Sequence, residues 1–346
     1  MSIKKITIIV TCYQAEKYLR DAINSAINCI RFIEDDPTSQ VSYAQIILIN
    51  DGATDKTGEI IDSIITEDKA IGGKIHLELT HIKQTNQGQA KSFENVLHMI
   101  KGELVFLLDS DDRFLINKVK EVIRVFEDNP NCTMVTHPQI VINSCGKRTG
   151  RLHPELATLS HGDLKKLATS TARIIAPATT GLAFRSETFI EIHPSPAVRH
   201  RPYDLPDLYL ALAASTKGPI FALKNPLSEY RKHPSGKFYK ILSTIEGLES
   251  LLKFQKDIET RLSIYPIPNT NSFLARAKFA KDKLTSSLLN KKNFKNLTDL
   301  CKATWSEKNF SHKDKIQICL LMASLSVLPR QIFKVAWEQI VRRQTS

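Results

Sequence analysis

The stretch LVFLLDSDD, residues 104–112, decides the fold of this chain. Its apolar residues predict a strand that is buried on both faces, as in a parallel sheet, and polar residues follow the strand at once. Residues 3–11 (IKKITIIVT) and 45–50 (QIILIN) have the same character, because each is rich in β-branched side chains and ends at a polar turn. The three stretches predict neighbouring strands of one buried sheet.

Amphipathic helices are predicted between these strands. From Glu16 to Ile30, apolar residues recur at the i, i+3, i+4, i+7 spacing of a helix with one buried face. Strands that alternate with helices predict a mostly parallel, doubly wound α/β sheet. The other predicted elements are a helix with the stripe Ile60, Ile61, Ile64 and Ile65, helices over 87–101, 119–126 and 207–214, and strands over 76–82, 134–142, 181–184 and 220–223.

Polar side chains gather where three predicted strands end, at Thr11–Tyr13, Asn50–Asp51 and Asp109–Asp112. In a doubly wound sheet the ligand lies beyond the carboxyl ends of the strands. Asp109 and Asp111 are two residues apart, so an extended chain directs both to one side. Two adjacent carboxylates suit Mg²⁺ or Mn²⁺, which also bind substrate phosphates. An aspartate-rich helix cap is the alternative interpretation.

Four segments of the chain, in this order and at this spacing, resemble family 2 glycosyltransferases of the GT-A fold. They are ITIIVTCYQAEKYL, ILINDGATDKT, NQGQAKSFENVLHMIKGELVFLLDSDD and PLSEYRKH, and the resemblance covers residues 4–235. It implies that a nucleotide-diphospho-sugar, commonly UDP-linked, donates its sugar with inversion to an acceptor hydroxyl. A divalent cation, Mn²⁺ or Mg²⁺, is the implied cofactor, and synthesis of a polysaccharide, glycolipid or cell-surface glycan is the implied setting.

The resemblance also implies which residues bind the nucleotide. These are Thr11, Tyr13, Asp51, Gln87, Gly88 and Asp109. Thr11 and Tyr13 match the loop that contacts the base, and Asp51 matches the acid that binds uracil. Gln87–Gln89 match a segment that borders the nucleotide, and Asp109 matches the residue that lies toward the ribose.

The metal and diphosphate are implied to lie beside the DxD sequence. Asp109 and Asp111 match the acids of that sequence, and Asp111 matches the one that holds the metal on the diphosphate. His233 is implied to be a metal ligand or a phosphate contact, with a structural histidine as the alternative. Arg231, two residues earlier, is implied to contact the diphosphate.

The resemblance places the catalytic base at Asp207, with Asp204 as the alternative. Asp207 lies eleven residues before Gly218, with leucines between them, which is the spacing of the family. The sequence departs from the family where Pro206 replaces a glutamate and Ala213 an arginine, and where Asn50 and Gln14 stand for aspartate and asparagine. The first two departures bear on the base and on the type of acceptor.

The domain prediction is a GT-A catalytic domain over residues 1–240 and a basic, α-helical region over 241–346. The second region has 18 basic and 9 acidic residues, a balance of +9 within a net charge of +12. Its last helix is predicted to lie on an anionic membrane or to pack on the catalytic domain. The apolar face is Ile332, Val335, Ala336 and Ile340, flanked by Arg330, Lys334, Arg342 and Arg343.

Several classes of protein are disfavoured by what the sequence lacks. No apolar run approaches the ~18 residues of a membrane-spanning helix, and the six cysteines form no CxxC pair. We therefore expect a cytoplasmic protein with reduced thiols, either free or peripheral on the membrane. The first strand is not followed by GxGxxG, which disfavours a dinucleotide dehydrogenase, and no recognition module suggests nucleic acid as a partner. The alternative function is a nucleotide-sugar-binding or scaffolding protein with impaired catalysis.

Overall fold

A computed structural model describes residues 2–69, 72–153, 162–163, 178–195, 205–233, 244–262, 278–282, 284, 291–306, 312–326 and 330–345. The chain divides into two compact units, Met1–Arg231 and Lys232–Ser346. The boundary predicted at residue 240 lies outside the described residues and stays a prediction.

The first unit begins with four parallel strands. They are β1 (Lys5–Cys12), β2 (Tyr43–Asp51), β3 (His76–Gln84) and β4 (Leu104–Asp109), and they lie in the order β3-β2-β1-β4. The chain order reverses between β1 and β4, which is where doubly wound sheets bind ligands. The register pairs Thr11 with Asp109 and Cys12 with Asn50. The predicted meeting of three polar strand ends is therefore confirmed.

Helices cover this half of the sheet as the apolar periodicity predicts. They are α1 (Leu19–Glu34), α2 (Thr57–Lys69), α3 (Gln89–Asn95) and α4 (Lys118–Asp128). The predicted stripe of α1 is buried, with Ala22, Ile23 and Ile30 fully inside the core. The helix begins later than predicted because residues 15–18 form a turn, in which Tyr18 N donates to Ala15 O at 3.0 Å.

The rest of the first unit completes two sheets. The large sheet continues from β4 in the order β10-β6-β11-β9, and the small sheet has the order β5-β12-β7-β8. The strands are β5 (Arg113–Phe114), β6 (Met134–Thr136), β7 (Gln139–Ile142), β8 (Arg148–His153), β9 (Gly162–Asp163), β10 (Leu182–Arg185), β11 (Ile220–Ala222) and β12 (Ser228–Arg231). Two further helices are α5 (Ser186–Glu191) and α6 (Pro206–Lys217).

Two predicted elements are wrong in detail. The strand predicted over 134–142 is two strands, because β6 belongs to the large sheet and β7 to the small one. Pro138 lies between them and has no N–H to continue a strand ladder. The helix predicted over 87–101 ends at Asn95, and a 3₁₀ turn, Leu97–Met99, follows it. Val96 between them has φ −110°, which is outside the helical range.

The described residues of the second unit are helical, except residues 232–233 and 244. Its helices are α7 (Ile245–Leu262), α8 (Lys291–Ser306), α9 (His312–Ser326) and α10 (Arg330–Thr345). Within the described part of the chain, no helix combines the length and the apolar character needed to cross a membrane. Phe279, Phe333 and Trp337 are buried and form an aromatic core, in which the rings of Phe333 and Trp337 stack at 6.0 Å.

Candidate active site

The carboxyl ends of β1 and β4 are joined by one glutamine. Nε2 of Gln89, the first residue of α3, donates to Thr11 Oγ1 at 3.1 Å and to Asp109 Oδ1 at 2.5 Å. Thr11 and Asp109 also face each other across the β1–β4 ladder. Two predicted nucleotide residues and the segment predicted to border the nucleotide therefore lie together at the point where the strand order reverses.

Asp51, at the end of β2, organises the loop before α3. Its carboxylate is 4% exposed. It accepts hydrogen bonds from Gln87 N at 2.7 Å, Gly88 N at 2.8 Å and Gln84 Nε2 at 2.7 Å. The structure thus brings together three more residues predicted to bind the nucleotide, Asp51, Gln87 and Gly88. The structure also shows that Asp51 fixes the path of residues 85–88, a role that the sequence pattern did not indicate.

A glycine permits the close approach of this loop. Gly52 has φ +71°, in the left-handed region that favours glycine. A Cβ at this position would lie 2.6 Å from Asn86 N, a backbone atom that cannot move aside easily. The Asp51-Gly52 pair therefore supplies both the carboxylate that holds the loop and the space the loop occupies.

Hydrogen bonds join the loops after β1 and β2. Gln14 adopts φ +50°, and its Oε1 accepts a hydrogen bond from Thr54 N at 2.8 Å. Burial alone would raise the pKa of Asp55, but hydrogen bonds from Thr57 and from the Glu16 N–H hold it below its usual value. Tyr13 remains 54% exposed between these contacts, as expected of a ring available to stack on a base.

The loop after β4 carries a third carboxylate that faces inward. Asp112 is 1% exposed, and its Oδ1 accepts a hydrogen bond from Arg231 N at 2.8 Å. Burial raises the pKa of Asp112 well above its usual value, and the negative charges of Asp111 and Asp109 raise it further. Residues 109–112 form a turn, in which Asp112 N donates to Asp109 O at 3.1 Å, so the extended geometry that was expected to direct Asp109 and Asp111 to one side is wrong. Both predicted DxD acids are half-buried, whereas Asp112 is buried and anchors the loop.

Arg231, predicted to contact the diphosphate, lies beneath this loop. Its side chain is 2% exposed. Nε donates to Asp111 O at 2.7 Å, and the guanidinium lies 4.4 Å from the centre of the Tyr18 ring. The guanidinium therefore contacts the backbone of the DxD loop, the Tyr18 ring and the carbonyl oxygens of Asn143 and Ser144. Its contact with a diphosphate stays a prediction. His233 is half-buried and belongs to the second unit, and its predicted role stays a prediction too.

Lys118 is a buried cation at this site that the sequence pattern did not reveal. The side chain is fully buried, and Nζ donates a hydrogen bond to Thr180 O and lies 4.0 Å from the centre of the Phe114 ring. Burial lowers the pKa of Lys118 to about 7, although the neighbouring Cys29, Asp112 and Asp109 act in the opposite direction. A signal was present, because Lys118 occupies the apolar stripe of α4, four residues before Val122.

Asp207, the predicted base, lies in the first turn of α6. Its Oδ1 accepts a hydrogen bond from Leu208 N at 2.9 Å, and the residue is half-buried. Burial raises the pKa of the Tyr230 phenol, and the charges of Asp112, Asp111, Asp109 and Asp207 raise it further. The charges of Asp207 and of the carboxylates in residues 109–112 therefore all act on the Tyr230 phenol. The alternative base, Asp204, lies outside the described residues.

Comparison with known proteins gives the family of this site. A model of glycosyl transferase family 2 matches residues 7–189, more than half of the chain. The chain belongs to glycosyl transferase family 2. An uncharacterized glycosyltransferase of Nostoc sp. is 26% identical over 261 residues, which cover 74% of this chain and 72% of that protein.

Solved structures of other glycosyltransferases share the fold. Staphylococcus aureus TarS 1–349 has a TM-score of 0.55 at 16% identity, over 98% of this chain and 92% of that chain. The mannosyltransferase PcManGT of Pyrobaculum calidifontis, solved with GDP-Man and Mn²⁺, has a TM-score of 0.54 at 13% identity, over 100% and 87% of the two chains. The predicted GT-A fold is confirmed, and this protein is a glycosyltransferase.

The chemistry of the site fits a divalent cation that is shared with a substrate. The described residues contain no group of three or more His, Cys, Asp or Glu side chains placed to hold a metal. Mg²⁺ and Mn²⁺ commonly bind through one or two carboxylates and the phosphates of the substrate. Asp109 and Asp111, half-buried at the end of β4, are the residues of this glycosyltransferase that would hold the cation.

Proposed function

We propose that this glycosyltransferase transfers a sugar from a UDP-sugar to an acceptor hydroxyl with inversion at the anomeric carbon. The observation that carries the proposal is the meeting of Thr11, Asp51 and Asp109 where the strand order reverses, joined by the bonds of Gln89 to Thr11 and Asp109 and by the bonds of the Asp51 carboxylate to residues 87 and 88. The structural neighbour TarS has been solved with UDP and with UDP-GlcNAc, which supports uridine as the nucleoside of the donor.

The donor is proposed to lie along the edge formed by β2, β1 and β4. Thr11, Tyr13, Asp51, Gln87 and Gly88 border the nucleoside, with the exposed Tyr13 ring against the base. Asp109 lies toward the ribose, and Asp111 lies toward the diphosphate. A cation held by Asp109 and Asp111 would neutralise the diphosphate leaving group by Lewis-acid chemistry.

Asp207 is proposed to act as the general base. Its carboxylate accepts the proton of the acceptor hydroxyl while the hydroxyl oxygen attacks the anomeric carbon from the face opposite the UDP. The bond between that carbon and the diphosphate oxygen breaks in the same displacement, so the configuration inverts without a covalent intermediate. General-base catalysis contributes about 10²–10⁴-fold to the rate.

The donor site is tested by calorimetric titration of UDP into the full chain, with and without Mn²⁺. We expect binding that requires Mn²⁺ in the wild type and is lost in Asp111→Ala. Asp128→Asn, which alters an exposed carboxylate on α4, is the control and should bind as the wild type does. Wild-type protein that binds no UDP at any Mn²⁺ concentration would contradict the proposed donor, and GDP and dTDP would be titrated next.

The base is tested with Asp207→Asn. We expect UDP affinity to stay unchanged and transfer or hydrolysis of a UDP-sugar to fall by about 10²–10⁴-fold. The competing function, a nucleotide-sugar-binding or scaffolding protein, is favoured by Pro206 in place of a glutamate and by the bond of Asp207 to the start of its own helix. It predicts UDP binding without turnover of any UDP-sugar in the wild type.

The second unit is proposed to dock on an anionic membrane, as a lipid-linked acceptor would require. Exposed apolar residues on α9 and α10 support this proposal, and they are Ile316, Leu320, Leu321, Ile332 and Val335. The basic balance of residues 241–346 adds attraction to anionic headgroups. A protein that acts on a glycan free in solution would not need this surface.

Vesicle binding tests the membrane proposal. The full chain should sediment with vesicles of phosphatidylcholine and phosphatidylglycerol at low salt, and less at high salt because salt screens the charges. Leu320→Glu with Val335→Glu should abolish sedimentation. Phe32→Glu with Ile190→Glu is the matched control, because it adds the same two charges at exposed apolar residues of the first unit. Equal sedimentation of both variants would contradict docking through α9 and α10.

A further inference from the structure

Several hydrogen bonds around the loop after β4, residues 109–112 (the DSDD loop, or DxD loop), involve Thr180. It is fully buried in the 3₁₀ turn Thr179–Gly181, directly before β10. Its Oγ1 accepts a hydrogen bond from Asp109 N at 3.0 Å, and its side chain acts to lower the pKa of Asp112 against the effect of burial. Its carbonyl oxygen accepts a hydrogen bond from the buried ammonium of Lys118. One threonine thus contacts both ends of the loop and the cation beneath it.

We propose that Thr180 is a positioning residue that fixes Asp109 and Asp111 for the donor diphosphate and its cation. It holds the loop from the side of β10, while Arg231 holds it from the side of β12 through bonds to Asp112 and to the carbonyl of Asp111. This inference rests on the proposed donor site. Thr180 itself touches no substrate in this arrangement, and it acts through the loop.

The positioning role of Thr180 depends on its hydroxyl more than on the volume of its side chain. A hydroxyl has one donor and two acceptor positions. Here its oxygen accepts from the Asp109 N–H, and its dipole favours the charged form of the Asp112 carboxylate. Valine has the same shape and would leave both of those buried groups without this partner. Thr136, on β6, offers a contrast within the same sheet. Its buried Oγ1 has no hydrogen-bond partner among the described residues, so its hydroxyl should be dispensable.

The test compares Thr180→Val with Thr180→Ser, and Thr136→Val serves as the matched control. We expect UDP affinity in the presence of Mn²⁺ to fall about tenfold in Thr180→Val, the equivalent of one hydrogen bond, and to stay within about twofold in the other two variants. Hydrogen exchange at the Asp109 amide should be about tenfold faster in Thr180→Val alone, because that amide loses its acceptor. Wild-type affinity and exchange in Thr180→Val would overturn the proposal.

Asp112→Asn provides a second test that does not depend on how well Thr180→Val folds. The amide has one acceptor oxygen where the carboxylate had two, so it cannot fully replace the bonds from Arg231 and Thr180. We expect a similar loss of UDP affinity, and the double variant with Thr180→Val should lose less than the product of the single losses. If the losses of UDP affinity multiply in the double variant, the two residues act independently. That result would overturn the proposal that Thr180 and Asp112 fix the same loop.

The two readouts separate this proposal from the proposed function. If the wild type binds no UDP with Mn²⁺, the proposed donor fails, but the exchange rate of the Asp109 amide still reports whether Thr180 holds the loop. If UDP binds and Thr180→Val changes neither quantity, the donor proposal stands and the positioning role is wrong. Thr180→Ser must retain both properties, since a buried hydroxyl remains.

Discussion

Replacement of Lys118 by methionine removes the buried amino group beneath the DSDD loop while keeping the volume of the side chain. Lys118 is surrounded by α1, through Cys29, by the loop through Asp112 and Asp109, and by the Thr180 carbonyl. Its burial lowers the pKa from 10.5 to about 7. The consequence for folding depends on pH, because the folded and unfolded chains then bind different numbers of protons.

The direction and the size of the change in unfolding free energy with pH follow from the pKa values of Lys118 in the folded and the unfolded chain. Between about 7 and 10.5 the unfolded chain holds a proton on Lys118 that the folded chain has released, so the free energy of unfolding rises with pH. Each pKa unit is worth about 1.4 kcal/mol, and the rise between about pH 6 and about pH 9 is roughly 2–3 kcal/mol. Below about pH 6 both states are protonated, and this contribution is constant.

The assay is urea unfolding of the full chain and of Lys118→Met at several values of pH. The difference between their unfolding free energies cancels the other titrating groups and should change by roughly 2–3 kcal/mol across the range, with the variant gaining most over the wild type at low pH. Lys4→Met, which removes an exposed lysine, should run parallel to the wild type. A pH-independent difference for Lys118→Met would refute the reasoning.

Other substitutions test the packing of the first unit. Gly52→Ala places a Cβ 2.6 Å from Asn86 N at a positive φ, and it should lower stability by about 1–2 kcal/mol or more and weaken UDP binding. Glu229→Gln removes the buried charge that pairs with Arg113 at 2.6 Å, and it should lower stability by roughly 1.5–3 kcal/mol. Phe126→Ala opens the core behind α4 and should cost about 3–5 kcal/mol. Urea unfolding measures all three, and a loss under about 0.5 kcal/mol, as for a surface change, would contradict any of them.

The half of the sheet that carries the proposed donor site was predictable from sequence because its signals are local. A strand buried on both faces is a continuous apolar run, and the polar residue that ends it is the next one along the chain. Thr11, Asp51 and Asp109 each follow such a run. Parallel pairing then brings strand ends to one edge, so their meeting follows from the fold class alone.

The support beneath the site was not predictable in this way. Thr180 contacts Lys118 and Asp109 across 62 and 71 residues, and Arg231 contacts Asp112 across 119. No periodicity within a helix or strand encodes such pairings. The split of residues 134–142 between two sheets was missed for a related reason, since its apolar pattern is continuous and only Pro138 marks the break.

That split has a consequence for how this enzyme can diverge. In the proposed donor site, the contacts around the nucleoside side lie within residues 11–89, whereas the loop on the diphosphate side is held by Arg231 on the small sheet and by Thr180 directly before β10. Mutations in β7, β8 or β12 are therefore expected to change how the diphosphate leaving group is bound, and to leave the preference for the nucleobase unchanged. In the proposed site, selection of the nucleoside and stabilisation of the leaving group can therefore change separately.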